Sequence, residues 1–341
     1  MTVLDLSEPI TLESGCTLDH ITVTYQTWGR RNSDQSNVIL ICHALTGDSN
    51  VADDDGWWTH YVGKSKVIDT SRFYVICMNV LGSCKGTTGP ASINPITNKP
   101  YGTDFPIVTI GDMVKVQKMT LDALGITQLY AIVGASMGGM QALEWTIQYP
   151  LMMKRCLLIA TTSRLSTQAL AFNTVGRKSI LSNPTEGLSI ARMIGHITYL
   201  SDESLNQKFG RRLQEKDDYG FSFSTDFQIE SYLSHQGQKI LDEFDPISYI
   251  YLSKALSYFD LERTYSSLEQ AFKRTQVHYF FIGISSDWIY PPKQSLEMVN
   301  MLVKLNKSVS YSLLESPYGH DSFLLPSIQL SSLIDGFLCR N

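Results

Sequence analysis

The chain has 341 residues, and its 28 Lys and Arg against 33 Asp and Glu give a formal net charge of −5. Hydrophobic residues make up 43% and charged residues 18%, a balance that excludes a disordered chain and describes a globular protein with a sizeable core. The lack of a Lys/Arg excess argues against nucleic acid as the main partner, and the length corresponds to roughly two domains.

The N-terminal stretch MTVLDLSEPITLESG has neither the basic start nor the apolar core of a secretory signal. No apolar stretch of the sequence approaches the ~20 residues of a membrane span. The cysteines form no C-x-x-C pair, which favours free thiols in a reducing compartment, so we expect a cytoplasmic protein without membrane association. The six cysteines are Cys16, Cys42, Cys77, Cys84, Cys156 and Cys339.

Six short apolar runs predict strands that are buried on both faces, as in a parallel sheet covered by helices. They span residues 38–45, 73–80, 129–133, 156–160, 277–284 and 309–314. Between them, helical patterns cover residues 110–124, 137–149 and 294–305. This alternation predicts βαβ units and an open, mostly parallel α/β sheet.

Residues 163–275 interrupt the alternation. They contain no clear strand run but several helical patterns, for example over 169–182, 186–199 and 253–259, and the alternation resumes at Val277. Because the last strands need a sheet to join, we predict a helical lid inserted between two strands. The predicted division is a core domain of residues 1–162 and 276–341 and a lid domain of residues 163–275.

The segment LYAIVGASMGGMQALEW places a G-x-S-x-G motif, from Gly134 to Gly138, between a predicted strand and a predicted helix. In this context the motif indicates the nucleophile elbow of the α/β-hydrolase fold. Its strained turn presents Ser136 at a helix N-terminus, where backbone N–H groups favour developing negative charge. The motif alone is common by chance, so the inference depends on the flanking strand and helix. We predict an α/β-hydrolase fold with Ser136 as the nucleophile.

A serine nucleophile needs a base and an orienting acid, and in this fold the chain order is Ser, then Asp or Glu, then His. Four histidines follow Ser136. His320 lies in a Gly-containing loop after a predicted strand, where a catalytic histidine is expected. His278 falls within a strand run, and His196 and His235 fall in the predicted lid. We therefore predict His320 as the base.

The acid should follow the preceding strand, and Asp287 in the turn SSDWIYPP does so. Asp287 and His320 are 33 positions apart in the chain, which is enough for one helix and one strand between them. We assign Asp321 elsewhere, because adjacent side chains in an extended segment point in different directions. The oxyanion should be held by two backbone N–H groups, that of Met137 after the nucleophile and that of Leu45 after an earlier strand.

Beyond the elbow, many separate blocks between about residues 8 and 325 make the sequence resemble the homoserine O-acyltransferases. The blocks are HALTGDS, GWW, MNVLGSCKGTTGPASINP, DFPIVTIGDMV, GASMGGMQALEW, FNTVGRKSI, ARMIGHITYLS, ESYLSHQG and SPYGHDSFL. The resemblance implies a serine-based, ping-pong transferase of methionine biosynthesis. In this family acetyl-CoA usually acylates the serine, and the γ-hydroxyl of L-homoserine then takes the acyl group.

The resemblance also implies roles for particular residues. The family's triad falls on the three residues assigned above. Its substrate arginine falls on Arg177, its substrate tyrosine on Tyr199, and the aspartate after the catalytic histidine on Asp321. A guanidinium suits the carboxylate of zwitterionic homoserine, and a carboxylate suits its ammonium group. Without the resemblance, Arg177 would be interpreted as a solvated charge on a helix.

At one place the sequence departs from the family, with Leu81-Gly82-Ser83-Cys84 where Leu-Gly-Gly-Cys is frequent. We expect this loop near the acyl pocket, so Ser83 leaves the donor open between acetyl-CoA and succinyl-CoA. The closely matching GTTGPASINP block favours acetyl-CoA. No Walker loop and no cluster with metal-ligand spacing is present, so we expect no metal and no cofactor besides acetyl-CoA as co-substrate.

The sequence is compatible with three classes of function: an acyltransferase with L-homoserine or L-serine as acceptor, an esterase or thioesterase with the same triad, and a non-catalytic relative that binds a ligand. The triad does not separate the first two classes, because only the acceptor differs, whereas Arg177 and Asp321 favour an amino-acid acceptor. The complete triad argues against the third class. Apolar faces of the lid, such as residues 252–259, predict a homodimer through the lid helices. The alternative is a monomer in which these faces cover the active site.

Overall fold

The computed structural model describes residues 1–339. Its strands are β1 (Thr2–Leu6), β2 (Ile10–Thr11), β3 (Thr17–Leu18), β4 (Ile21–Trp28), β5 (Val38–Cys42), β6 (Val62–Gly63), β7 (Ile68–Asp69), β8 (Tyr74–Met78), β9 (Ile93–Asn94), β10 (Lys99–Pro100), β11 (Leu129–Ala135), β12 (Met153–Ile159), β13 (His278–Ile284) and β14 (Val309–Leu314). Its α-helices are α1 (Ile110–Ala123), α2 (Met137–Gln148), α3 (Thr167–Ser182), α4 (Pro184–Tyr199), α5 (Asp202–Lys208), α6 (Gln228–Glu243), α7 (Pro246–Tyr258), α8 (Leu261–Tyr265), α9 (Leu268–Phe272), α10 (Pro292–Lys304) and α11 (Ile328–Cys339). Two 3-10 helices span Gly102–Asp104 and Gly319–Phe323.

Eight strands form the central sheet in the order β1-β4-β8-β5-β11-β12-β13-β14. Six neighbouring strands of this sheet run parallel to one another, namely β8, β5, β11, β12, β13 and β14. Strand β4 pairs antiparallel with both β8 and β1. Helix α2 connects β11 to β12, and α10 connects β13 to β14, as parallel neighbours require. The predicted fold class, a mostly parallel sheet flanked by helices, is confirmed.

The central strands are buried because both faces of the sheet are covered. Every residue of β5 is buried, and so is every residue of β13 except the first. On one face the sheet packs against α1, α2 and α10 through Met113, Leu143 and Met298. On the other face it packs against α11 and the loop after β5, with Ile334 and Trp58 in the cluster. The continuous apolar runs of the sequence reflect this two-sided burial.

The helices α3 to α9 all lie between β12 and β13, where the sequence predicted an insertion. Helix α3 packs against α4, and α4 packs against α6 and α7. At the start of α3, the Ser166 side chain accepts a hydrogen bond from the Ala169 amide. Asn183 caps α4 in the same way and is followed by Pro184 at the first helical position. Each of these two long helices therefore has its own start signal, and together they cover the carboxyl edge of β11.

Cys16, Cys42, Cys77, Cys84 and Cys156 are free thiols, while the side chain of Cys339 lies outside the described part of the chain. Burial raises the pKa of the three core thiols, at positions 42, 77 and 156. They therefore behave as small apolar side chains of the sheet. Among residues 1–339, no helix has the combined length and apolar character needed to traverse a lipid bilayer.

Candidate active site

The turn between β11 and α2 carries Ser136 in a strained backbone conformation. The serine has φ 56° and ψ −124°, values that side-chain-bearing residues rarely adopt. Its amide donates to the Ile159 carbonyl of β12 at 3.0 Å, and its carbonyl accepts from the Gly139 amide and the Thr161 hydroxyl. These bonds hold the turn, so the Ser136 side chain stands at the N-terminus of α2.

Close approach of backbone segments explains the glycines of the motif. A Cβ on Gly134 would lie 2.0 Å from the Gly138 carbonyl oxygen. A Cβ on Gly138 would in turn lie 2.0 Å from the carbonyl oxygen of Cys42 at the end of β5. Neither oxygen can move without breaking the sheet or the start of α2. The spacing of G-x-S-x-G is therefore a steric requirement of this turn.

Ser136, His320 and Asp287 form one hydrogen-bonded chain. The Nδ1 atom of His320 lies 2.6 Å from Oδ2 of Asp287, and its Nε2 atom lies 2.8 Å from Oγ of Ser136. Asp287 is 2% exposed and His320 is 3% exposed. Because the carboxylate accepts from Nδ1–H, Nε2 is left as the acceptor that faces the serine hydroxyl. This tautomer is the one that a general base needs.

The two partners of the serine are positioned by the loops after β13 and β14. Oδ1 of Asp287 accepts hydrogen bonds from the amides of Ile289 and Tyr290 at 3.0 and 2.9 Å, which leaves Oδ2 for the imidazole. His320 belongs to the 3-10 helix that starts at Gly319, whose φ of 71° lies in the left-handed region. A Cβ on Gly319 would lie 2.5 Å from a backbone carbonyl oxygen of the lid. The lid and the core loop are therefore in close contact at the base.

The electrostatics of the pair favour a base that is more basic than free histidine. Burial by itself disfavours the imidazolium form of His320. The negative charge and the hydrogen bond of Asp287, together with the negative charge of Asp321, outweigh burial and raise the pKa of His320 above its usual value of 6.5. An imidazolium formed when His320 accepts the serine proton is stabilised in place by the same contact.

The other histidines after the elbow have partners away from the serine. His278 lies 3.5 Å from the Ser310 hydroxyl, and Nδ1 of His196 lies 2.9 Å from the Tyr232 hydroxyl. His235 is exposed on α6. Within residues 1–339, no group of three or more His, Cys, Asp or Glu is arranged to hold a metal ion.

The two amides assigned to the oxyanion border the nucleophile. Met137 is the first residue of α2, and Leu45 lines the cavity above the serine. Neither amide is used in the turn, loop and cap hydrogen bonds of the described residues. His43 supports the Leu45 loop, since its Nε2 accepts from the Val80 amide at 3.1 Å and its carbonyl accepts from the Gln141 side chain at 3.0 Å. His43 therefore supports the structure of this loop.

A closed cavity of about 40 Å³ lies over Ser136. Its walls come from core loops, with Leu45 and Tyr290, and from lid helices, with Tyr199 on α4 and Tyr249 on α7. In the described part of the chain, its lining includes no Asp, Glu, Lys or Arg. The space admits a small uncharged group and only a few water molecules.

Two of the residues implied to bind substrate lie beside the triad. Tyr199 lines the closed cavity, and its ring centroid is 5.9 Å from that of His320. Asp321 follows His320 in the 3-10 helix. Burial raises the pKa of the Asp321 carboxyl, and the positive charges of His320 and Arg192 oppose this rise. A cationic group of a substrate would therefore stabilise the partly buried carboxylate of Asp321.

Arg177 has a different environment from these two residues. Its guanidinium donates to the Ser253 carbonyl at 3.0 Å and to the Ser257 hydroxyl at 2.9 Å, both on α7. The preceding residue, Gly176, lines the closed cavity, whereas Arg177 is not among the described residues that line it. The structure thus places Arg177 in the contact between α3 and α7, one residue from the cavity wall.

Arg192 is a charged residue near the site that the sequence interpretation missed. Its guanidinium lies 3.3 Å from the Thr46 hydroxyl, in the loop that carries Leu45. Its positive charge also acts on Asp321 and Tyr199. Arg192 and Tyr199 are seven residues apart on α4, a spacing that puts both on one face of a helix. That spacing within ARMIGHITY is the signal from which Arg192 could have been found.

Known proteins of similar sequence and structure identify the family. The family described as the alpha/beta hydrolase fold matches residues 37–326. A homoserine O-acetyltransferase of Methanobrevibacter ruminantium is 49% identical over 98% of this chain and 72% of its own length. The crystal structure of homoserine O-acetyltransferase from Bacillus anthracis has a TM-score of 0.93 at 27% identity, covering 100% of this chain and 97% of that chain. Esterase E22 has a TM-score of 0.90 at 29% identity, covering 99% of each chain. The chain therefore belongs to the homoserine O-acetyltransferase family, within the alpha/beta hydrolase fold.

Proposed function

We propose that the protein transfers the acetyl group of acetyl-CoA to the γ-hydroxyl of L-homoserine, a reaction of methionine biosynthesis. The observation that supports this most directly is the hydrogen-bonded chain Ser136–His320–Asp287, in which Ser136 lines a small cavity without charged residues in its described lining. A transferase must protect its acyl-enzyme from water, and such a cavity does so. Membership of the family supports the choice of donor and acceptor.

In the first half-reaction, Oγ of Ser136 attacks the thioester carbonyl of acetyl-CoA while Nε2 of His320 takes the serine proton. Asp287 stabilises the imidazolium, and the amides of Leu45 and Met137 donate to the oxyanion. Loss of one such donor costs about 10²- to 10³-fold in rate. The tetrahedral intermediate then expels the CoA sulfur, which takes the proton from His320 and leaves acetyl-Ser136.

In the second half-reaction, the γ-hydroxyl of L-homoserine enters where CoA has left. Nε2 of His320 takes the hydroxyl proton as the oxygen attacks the acetyl carbonyl, and the same two amides hold the second oxyanion. Collapse of this intermediate returns the proton to Oγ of Ser136 and releases O-acetyl-L-homoserine. The raised pKa of His320 suits both steps, because one group must accept and then return a proton.

Zwitterionic homoserine needs a cation for its carboxylate and an anion for its ammonium group. We assign these to Arg192 and Asp321, with the Tyr199 ring between the acceptor and the triad. Arg177 is the second candidate for the carboxylate, since its charge, like that of Arg192, acts on Tyr249 in the cavity wall. If an arginine binds the carboxylate through two hydrogen bonds, its removal should raise the KM for homoserine.

The size of the closed cavity supports acetyl rather than succinyl as the transferred group. A succinyl group would bring a carboxylate into about 40 Å³ of space whose described lining includes no cation. Burying an unpaired carboxylate costs several kcal/mol. Ser83 is 1% exposed, with a hydroxyl that has no hydrogen-bond partner, and it is not among the described residues lining the cavity.

We propose that residues 163–275 act as a lid domain on the core of residues 1–162 and 276–341, and that the lid also forms a homodimer. Within the segment 252–259 from which the sequence predicted the dimer, Leu252, Leu256 and Phe259 are buried and Tyr258 is exposed at 50%. On α3 of the lid, Leu181 is exposed at 65% and Val175 at 54%. Such exposure on neighbouring helices is typical of an interface. Sedimentation would test the dimer, and Leu181→Asp should shift it toward the monomer. The five free thiols and the use of acetyl-CoA support a cytoplasmic location.

An esterase or thioesterase is the second candidate, favoured by the similarity to esterase E22. Acetyl-CoA incubated with the protein, with and without homoserine, separates the two functions. Without homoserine, a transferase releases at most about one CoA per enzyme molecule, whereas with homoserine it releases CoA continuously and forms O-acetylhomoserine in equal amount. Rapid CoA release without an acceptor, with free acetate as product, would instead establish a thioesterase.

A further inference from the structure

A second cavity of about 440 Å³ is lined by Asp321, the residue after His320, and we call it the Lys208 cavity. Its lining includes Leu200, Ser204, Lys208, Tyr232, Tyr318 and Asp321. The volume falls in the range of about 300 to 1,000 Å³ that is typical of small-molecule sites. It is far larger than the closed cavity over the nucleophile.

The two cavities approach each other at two places along the chain. At the end of α4, Tyr199 lines the closed cavity and the next residue, Leu200, lines the Lys208 cavity. In the 3-10 helix, His320 contacts the nucleophile and the next residue, Asp321, lines the Lys208 cavity. At both places, consecutive residues of the chain line the two cavities, so the Lys208 cavity lies next to the segments that form the active site.

Lys208 brings a positive charge to the lining of the Lys208 cavity, which also contains the carboxyl group of Asp321. The ammonium of Lys208 lies 4.6 Å from the ring centroid of Tyr232 and 5.2 Å from that of Phe209, so aromatic faces restrain it. Arg211 and Arg212 follow, both exposed. Residues 206–214 contain these three cations and no acidic residue, although acidic residues flank this stretch on both sides.

The chemistry of the donor matches this arrangement. An acyl-CoA has a nucleotide with several phosphate charges at one end and a long, mostly uncharged arm that ends in the thioester. The closed cavity has neither the volume nor, among its described residues, the cation for the nucleotide. We propose that the Lys208 cavity admits the donor, with its arm directed toward Ser136 and Lys208 binding a phosphate group at the rim. This inference rests on the proposed function and specifies where its donor binds.

The test compares two thioesters that differ only in the phosphate-bearing part: acetyl-CoA and S-acetylpantetheine, a shorter thioester that keeps the whole arm and lacks the nucleotide. For Lys208→Ala, we expect the KM for acetyl-CoA to rise about threefold to tenfold, as for loss of a partly exposed charge contact, with kcat unchanged. The KM for the short thioester and the KM for homoserine should stay at their wild-type values. Lys208→Arg should restore the affinity for acetyl-CoA. High salt should reduce the difference in KM for acetyl-CoA between wild type and Lys208→Ala.

Lys178, exposed on α3, provides the matched control, and Lys178→Ala should leave both donors unaffected. An unchanged KM for acetyl-CoA in Lys208→Ala, or an equal rise for both thioesters, would overturn the donor site while leaving the proposed function intact. If the wild-type protein acetylates homoserine from neither thioester, the proposed function itself is wrong, and the donor site falls with it.

Discussion

Replacement of Asp287 by Asn tests how the structure activates its serine. Asn keeps the size of the side chain, and its carbonyl oxygen can still accept from the amides of Ile289 and Tyr290. Its NH2 group then faces Nδ1 of His320, at the place where Oδ2 now lies 2.6 Å away. Nδ1 must become an acceptor, so the imidazole proton moves to Nε2, which can no longer accept the proton of Ser136.

The expected decrease in kcat for Asp287→Asn combines two losses, that of the correct His320 tautomer and that of the stabilised imidazolium. We expect kcat for acetyl transfer to fall roughly 10³- to 10⁴-fold, or about 4 to 5.5 kcal/mol of activation free energy. Without the carboxylate, burial dominates the ionisation of His320, so the acidic limb of the residual activity should move to lower pH. The free energy of unfolding should change far less than the activation free energy, because the two amide contacts remain.

The assay is the release of CoA thiol, followed with a thiol reagent, in the presence of saturating homoserine. Asp335→Asn, exposed on α11, serves as the matched control and should retain wild-type kcat. If Asp287→Asn retains kcat within tenfold of wild type while folding normally, then the carboxylate does not set the tautomer of His320. The triad interpretation would then be wrong.

Three further predictions concern the turn, the base and the acceptor. Gly138→Ala should lower the free energy of unfolding by at least about 2 kcal/mol in chemical denaturation, because the new Cβ meets a carbonyl oxygen. The control Gly336→Ala, whose new Cβ would have no atom within 4 Å, should change the free energy of unfolding by less than about 1 kcal/mol. In wild type, kcat/KM should rise with pH through the pKa of His320 and reach half its plateau above pH 6.5, since only the neutral imidazole accepts a proton. A midpoint below pH 6.5 would contradict the contact with Asp287. Arg192→Ala should raise the KM for homoserine about tenfold or more and Arg177→Ala much less; the reverse ranking would move the carboxylate contact to Arg177.

Most of the central sheet could be predicted because burial on both faces leaves a direct trace in the sequence. The run VILIC of β5 is apolar throughout, and so is most of β13. The two antiparallel strands at the other edge were not predicted. β4, with the sequence ITVTYQTW, alternates apolar and polar residues, and β1 is largely exposed. Their pairing depends on neighbours that are distant in the chain.

The residues of the site also fall into those that local sequence patterns predict and those that depend on tertiary packing. The sequence located the Ser–His–Asp order, because the elbow is a local steric pattern and the other two members follow ends of predicted strands. It did not locate Arg192, whose position near Asp321 depends on how α4 packs over the core. The family block led to Arg177, which the structure ties to α7 through Ser253, and its role in substrate binding stays a prediction. Side chains that the lid supplies depend on tertiary packing, and local pattern does not determine that packing.

Mass spectrometry of the protein after brief exposure to acetyl-CoA without homoserine is the direct test of an acetyl-Ser136 intermediate. We predict one added acetyl group, located on the peptide that contains Ser136, and its disappearance as O-acetylhomoserine forms when homoserine is added. Acetyl transfer to homoserine with no acetylated Ser136 at any time, or with the label on another side chain, would contradict it.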